Sequence, residues 1–200
     1  MKFGTKLTRR VPPMTPGTKM GICVGFVGIG EQMTTYKGSS TFKDQVVVTI
    51  EFPSEKVEID GEMKPRQLSK SMTRTTDKKG AFCKTVSSWF AKNFTEEELK
   101  AISEDDLLMR PCMVTVSLSD DGQYANIDNI VQYPDGLPVP TTTTVPFFFD
   151  VEEWDDEVFK TLPEWIQEKI KKSTQYAMMH APETAIEVKD EVAVEDSCPI

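Results

Sequence analysis

The sequence predicts a mainly β protein with appended helices (α+β). The expected core is a five-stranded Greek-key barrel with helices between strands three and four, followed by a C-terminal helical extension and a disordered acidic tail. Three observations predict this. Short β-branched runs broken by glycines and turn dipeptides fill most of residues 1–133. The hydrophobic period changes near residue 80 from strand alternation to a helical repeat of about 3.6. After Tyr133 the composition turns to Pro and Thr, then to acidic residues. With 200 residues, 38% hydrophobic and 28% charged, the chain has room for one domain with a genuine core plus an appendage. The expected division is a barrel domain over 1–137, a linker and C-terminal helices over 138–180, and a tail over 181–200.

Pro12, Pro13 and Pro16 before Gly17 make the lead-in extended rather than helical. The run from Lys19 to Ile29 is apolar and interrupted by Gly21, Gly25 and Gly28, with Gly30 next. Glycines in a strand pattern mark bulges or sharp coiling, which a long strand needs to bend around a small barrel. Gln45 to Phe52 reads as a second strand ended by Pro53. Residues 54–65 read as a hairpin with Asp60-Gly61 at its turn, and Arg66 to Thr76 as the third strand.

Phe82, Val86, Trp89 and Phe90 then form the apolar stripe of a helix over 80–92. Thr95 as N-cap with Glu98 three residues on is a capping box that opens a second helix. Pro111 to Leu118 and Tyr124 to Tyr133 flank Asp121-Gly122 as a hairpin. Residues 134–146 read as an extended Pro/Thr linker, and Phe147-Phe148-Phe149 as a sticky cluster that packs back or meets a partner. Val151 to Phe159 and Pro163 to Tyr176 read as helices. Five strands with a helix between the third and fourth is the element order of an OB-like barrel, which binds oligonucleotides or oligosaccharides.

The net charge of −9 hides an uneven distribution. Residues 1–80 hold 14 Lys/Arg against 8 Asp/Glu, residues 81–134 hold 4 against 9, and residues 135–200 hold 5 against 15. A basic first part and an acidic end fit different tasks. No apolar run approaches a leader or a membrane span, so a cytoplasmic protein is expected. Cys23, Cys83, Cys112 and Cys198 form no metal-ligand spacing with each other or with His180, and read as reduced, mostly buried thiols. The acidic triplets Glu96-Glu97-Glu98 and Glu104-Asp105-Asp106 sit at helix starts, where the dipole favours negative charge. One histidine supports no nucleophile–base arrangement. Gly25 to Gly30 lacks the G-K-[ST] ending of a phosphate loop. The reading is of a non-enzyme with no cofactor and no metal.

Binding is the better-supported expectation. Tyr36, Lys37, Phe42 and Lys43 interleave aromatics with cations between the first two strands. Arg66, Lys70, Arg74, Lys78 and Lys79 continue the basic run along and after the third. Single-strand binders need that combination, because bases stack on flat rings while cations follow the phosphates. The plainer alternative is that Phe42 belongs to the core and the lysines to a solvated face. A second expected contact region is for protein partners: Phe147, Phe148 and Phe149, with Asp196, Pro199 and Ile200 in the acidic tail.

The segments TRTTDKKGAFCKTVSSWFAKNFTEEEL, LLMRPCMVTV and YANIDNIVQYP, with the opening Pro16-Gly17-Thr18, carry a family resemblance. Residues 15–137 resemble phage-encoded single-stranded-DNA-binding proteins with OB folds, found with replication and recombination genes. The resemblance implies DNA coating in the host-cell cytoplasm, without a motif of DNA-contacting residues to carry over. The tip Cys198-Pro199-Ile200 is loosely similar to the acidic tails of bacterial single-strand-binding proteins, which end in Pro-Phe and recruit replication and recombination proteins. Because one barrel binds few nucleotides, homo-oligomerisation is compatible with this reading. The competing expectation is a phage interaction protein or host inhibitor that docks through its acidic C-terminal region.

Overall fold

The computed structural model describes residues 11–59 and 61–181. The expected turn residue Asp60, the acidic tail and its Asp196, Pro199 and Ile200 lie outside the described residues. The protein is mainly β, with six strands and six short helices among the described residues. The strands are β1 (Gly17–Tyr36), β2 (Ser39–Ile59), β3 (Glu62–Thr73), β4 (Pro111–Leu118), β5 (Ala125–Gln132) and β6 (Phe147–Asp150). Helices α1 (Ala81–Phe90), α2 (Glu96–Lys100) and α3 (Glu104–Leu107) fall between β3 and β4. Helices α4 (Asp156–Thr161), α5 (Glu164–Ile170) and α6 (Thr174–Met179) follow β6.

The antiparallel order is β3-β2-β1-β4-β5, with β6 added in parallel to β1. The register shifts twice along β1, between Cys23 and Gly25 and between Gly28 and Gly30. These are the bulges that the glycine spacing predicts, and they bend the strand. Gly25 has a further role: a Cβ there would lie 2.2 Å from the Phe147 ring, so only glycine lets β6 approach β1 this closely.

The first two strands run longer than the apolar runs suggest. Polar residues 31–36 and 39–44 pair with each other as an arm beyond the core. Its turn is tight, because Lys37 and Gly38 both adopt positive φ (48° and 80°), the primed geometry that matches strand twist. The expected hairpin over 54–65 is the far end of β2 and β3, rejoined after a break in register between Phe52 and Lys56. The third strand therefore ends at Thr73 rather than Thr76.

Two cores lie on opposite faces of β2. Val46, Val48, Ile50 and Phe52 face the main core, closed by Phe82, Val86 and Trp89 of α1 and by Val114 and Ile130 of β4 and β5. Val47 faces a second core made with Val27, Ile29, Phe149, Phe159, Ile166 and Ile170. This alternation is the strand period of two at work. The triple phenylalanine is divided between these cores. Phe148 stacks on Phe26 at 6.3 Å, Phe149 is buried in the second core and Phe147 packs beside it. The expected docking cluster Phe147-Phe148-Phe149 is therefore internal packing, because strand pairing with β1 turns the rings onto the sheet.

The capping box forms as the spacing predicts: Thr95 Oγ1 accepts from the Glu98 amide at 3.2 Å, and Glu98 accepts from the Thr95 amide at 2.8 Å. The expected helix over 163–176 is split, because Ser173 caps α6 with its hydroxyl and ends the continuous pattern. The helix expected from Val151 starts only at Asp156, where the Asp155 side chain accepts from two amides. No helix among the described residues is long and apolar enough to cross a membrane. Cys23, Cys83 and Cys112 are buried free thiols.

Candidate nucleic-acid interface

The arm carries four of the nine expected contact residues. Tyr36 is 72% exposed and Phe42 56%, while the ordinary fate of such rings is burial. Register decides which face each occupies. Phe42 pairs with Met33, and both continue the row of Asp44 and Val46 that faces the main core. Lys43 pairs with Gln32 and continues the row of Gln45 and Val47 that faces the second core. Tyr36, four residues beyond Gln32, shares the Lys43 face. Lys37 sits at the tip with its ammonium 5.4 Å from the Tyr36 ring centroid. The arm thus presents an aromatic and a cation together on one face, and an apolar pair on the other.

Arg66, Lys70 and Arg74 do not join it, contrary to the sequence expectation. Arg66 donates to the Pro12 carbonyl at 2.6 Å and pins the lead-in to β3. Lys70 lies on the main-core face of β3 and donates to the Asp128 carbonyl of β5 at 2.6 Å, so it ties the two outer strands together. Burial pushes its ammonium below the ordinary lysine range, and Asp128 offsets part of that effect. Arg74 bonds Asp44 of β2 and Asp150 of β6, each at 2.5 Å. These cations have internal partners because residues of opposite charge or free carbonyls, far apart in sequence, meet them in the fold. Lys78 and Lys79 are exposed in the turn before α1; Lys78 borders a cleft with Lys84, Asn93 and Phe94.

The second-core face of the sheet holds residues that sequence reasoning missed. There α5 crosses β2 from β1 toward β3. Gln32 of β1 donates to the Lys169 carbonyl at 3.0 Å, and the Lys169 ammonium donates to Ser71 Oγ of β3 at 2.9 Å. The same ammonium lies 5.5 Å from the ring centroid of Trp165, one helical turn earlier and 43% exposed. Burial first, then the neighbouring Lys172, push the Lys169 ammonium below its ordinary range. The i,i+4 spacing of Trp165 and Lys169 was visible in the sequence. Their seat over the sheet depends on long-range packing and was not.

Further along this face, Glu51 is fully buried at 0% exposure. Its carboxylate accepts from the hydroxyls of Thr142 and Thr144 and from Gln67 at 3.0 Å. The threonine linker is thereby strapped onto β2, and the buried charge is satisfied as burial requires. Beside the strap, Pro53, Lys56, Met63 and Pro65 line an open cleft of about 510 Å³. Between cleft and arm, β3 exposes an uncharged polar row of Gln67, Ser69 and Ser71.

Comparison with known protein families, curated proteins and solved structures finds no match to this chain.

Proposed function

We propose that this protein is a non-enzymatic, largely sequence-independent single-stranded-DNA-binding protein built on an OB-like barrel. The single observation that carries the reading is the projecting arm, with exposed Tyr36 and Phe42 interleaved with Lys37 and Lys43. Exposed rings offer stacking surfaces to any base, and adjacent ammonium groups meet the phosphates. The barrel part of the proposal is supported by the strand order β3-β2-β1-β4-β5, by the Lys70–Asp128 link between its outer strands, and by α1 between β3 and β4. Coating of DNA in phage replication or recombination, in the host-cell cytoplasm, is the role that the resemblance of residues 15–137 implies. Recruitment of partner proteins by the acidic tail belongs to the same proposal.

The test is fluorescence anisotropy of labelled oligo-dT and of a matching duplex, at about 50 and 200 mM salt. The proposal expects micromolar or tighter binding to the single strand, weaker binding to the duplex, and steep loss with salt as counterions are released. Replacing Tyr36 and Phe42 by Ala lowers affinity, and replacing Lys37 and Lys43 by Ala flattens the salt slope. Equal binding to both nucleic acids, or none to either, overturns it.

A further inference from the structure

The C-terminal helices carry an indole that nothing in the barrel requires. Trp165 is 43% exposed, whereas its neighbours on α5, Ile166 and Ile170, are fully buried in the second core. The Lys169 side chain bridges that indole to the hydroxyl row of β3, and the Lys169 backbone is bonded to the base of the arm through Gln32. Lys43, which pairs with Gln32, adds a further cation on the same face. Two exposed aromatics, Tyr36 on the arm and Trp165 on the helix, therefore stand on one face with Lys43, Lys169 and Lys172 near them. Between them and the cleft at Lys56 and Met63 lies the uncharged strip of β3.

We infer that Trp165 is a further base-stacking residue, on the same face as Tyr36, and that Lys169 holds both the ring and a phosphate, so single-stranded DNA runs along β3 from the arm to the cleft. The chemistry is complementary: rings for bases, ammonium groups for phosphates, and hydroxyl and amide side chains that solvate a backbone without repelling it. Glu51, which borders the cleft, is buried beneath the threonine strap, and the exposed carboxylates on this side, Glu164 and Glu168, flank Trp165 and Lys169 on α5. From Pro65 to Thr73, at about 3.3 Å per residue, the track is about 26 Å long. That suits the lower end of the site size of an OB barrel, about four or five nucleotides.

The inference rests on the single-strand-binding proposal, and two simultaneous readouts separate their failures. Full-length protein is titrated with labelled oligo-dT while anisotropy and intrinsic tryptophan fluorescence are followed. Trp89 is buried and Trp154 packs among Phe149, Phe159 and Tyr176, so quenching by stacked bases reports mainly on Trp165. The expected result is quenching that tracks binding. Trp165→Ala removes the quench and weakens binding about tenfold, within the range for one lost stacking contact. Trp165→Phe also loses the quench but keeps most of the affinity, and Lys169→Gln lowers both affinity and salt slope. Lys100→Ala, an exposed charge on α2, whose Leu99 packs in the main core on the opposite side of the sheet, serves as the reference, and thermal melts confirm that each variant is folded. Undiminished affinity in Trp165→Ala, with the arm variants still impaired, overturns this inference and leaves the proposal standing. Absence of oligo-dT binding overturns both.

Discussion

Arg74→Ala separates a structural cation from a DNA contact. The guanidinium meets Asp44 and Asp150 at 2.5 Å each, with side-chain exposures of 27%, 28% and 12% for the three residues. One Asp44 oxygen, Oδ1, is buried and has no hydrogen-bond partner among the described residues, so this carboxylate depends on Arg74. Breaking a fully buried ion pair by deleting one partner costs about 3–5 kcal/mol, because the remaining charge is stranded. Solvent still reaches Arg74 and Asp44, which lowers the expected loss to about 2 kcal/mol. With a urea slope of about 2 kcal/mol per molar, the unfolding midpoint falls by about 1 M. Arg74→Lys recovers only part, since one ammonium replaces a planar fork that reaches two carboxylates. The assay is urea denaturation followed by circular dichroism, run beside oligo-dT titrations. An unmoved midpoint together with a smaller salt slope would refute the reasoning, and would return Arg74 to the DNA-contacting role that sequence order suggested.

Two further outcomes are expected. Burial pushes the Cys23 thiol up to about 12 and raises that of Cys112 as well. An aromatic disulfide reagent at neutral pH should therefore leave Cys23 and Cys112 unlabelled in the native protein and label all four cysteines in denaturant; fast native labelling at Cys23 or Cys112 would contradict the burial. Deleting residues 182–200, which hold six Asp/Glu and one Lys, should tighten oligo-dT binding at low salt and change it little at high salt. Unchanged or weaker binding at low salt would exclude competition between tail and DNA.

What the sequence revealed and what it concealed divide by range of interaction. The capping box at Thr95 and Glu98, the hairpin around Gly122 and the bulges at Gly25 and Gly30 depend on a few adjacent residues, so their signals were local and correct. Strand ends were misjudged where polar residues pair without a core to alternate against. Residues 31–36 and 39–44 show no hydrophobic period, yet the tight turn at Lys37-Gly38 extends the ladder through them. The parallel strand β6 was hidden for another reason. Three consecutive phenylalanines have no period of two, and their pairing with β1 is decided more than a hundred residues away by Gly25 and Gly28. The arm half of the candidate site was legible because its aromatics and cations are contiguous in sequence; the helix half was not.

That division bears on how the two halves act together. The aromatic and cationic residues of the arm lie on the first two strands, whereas Trp165 and Lys169 belong to the segment expected to be an appendage. The second core joins them: Val27 and Val47 from the sheet pack with Ile166 and Ile170 from α5, and Gln32 bonds the Lys169 carbonyl. A helix held by fully buried aliphatic side chains and an arm held by a continuous ladder keep their spacing, so the proposed binding would require little ordering of either half. Under the proposed function, the same geometry would let an acidic chain hold a polyanion. Arg66, Lys70 and Arg74 serve the fold, and the acidic surplus lies mostly beyond residue 135. On the proposed reading, the field that DNA would meet is set by the lysines gathered on one face rather than by the net charge.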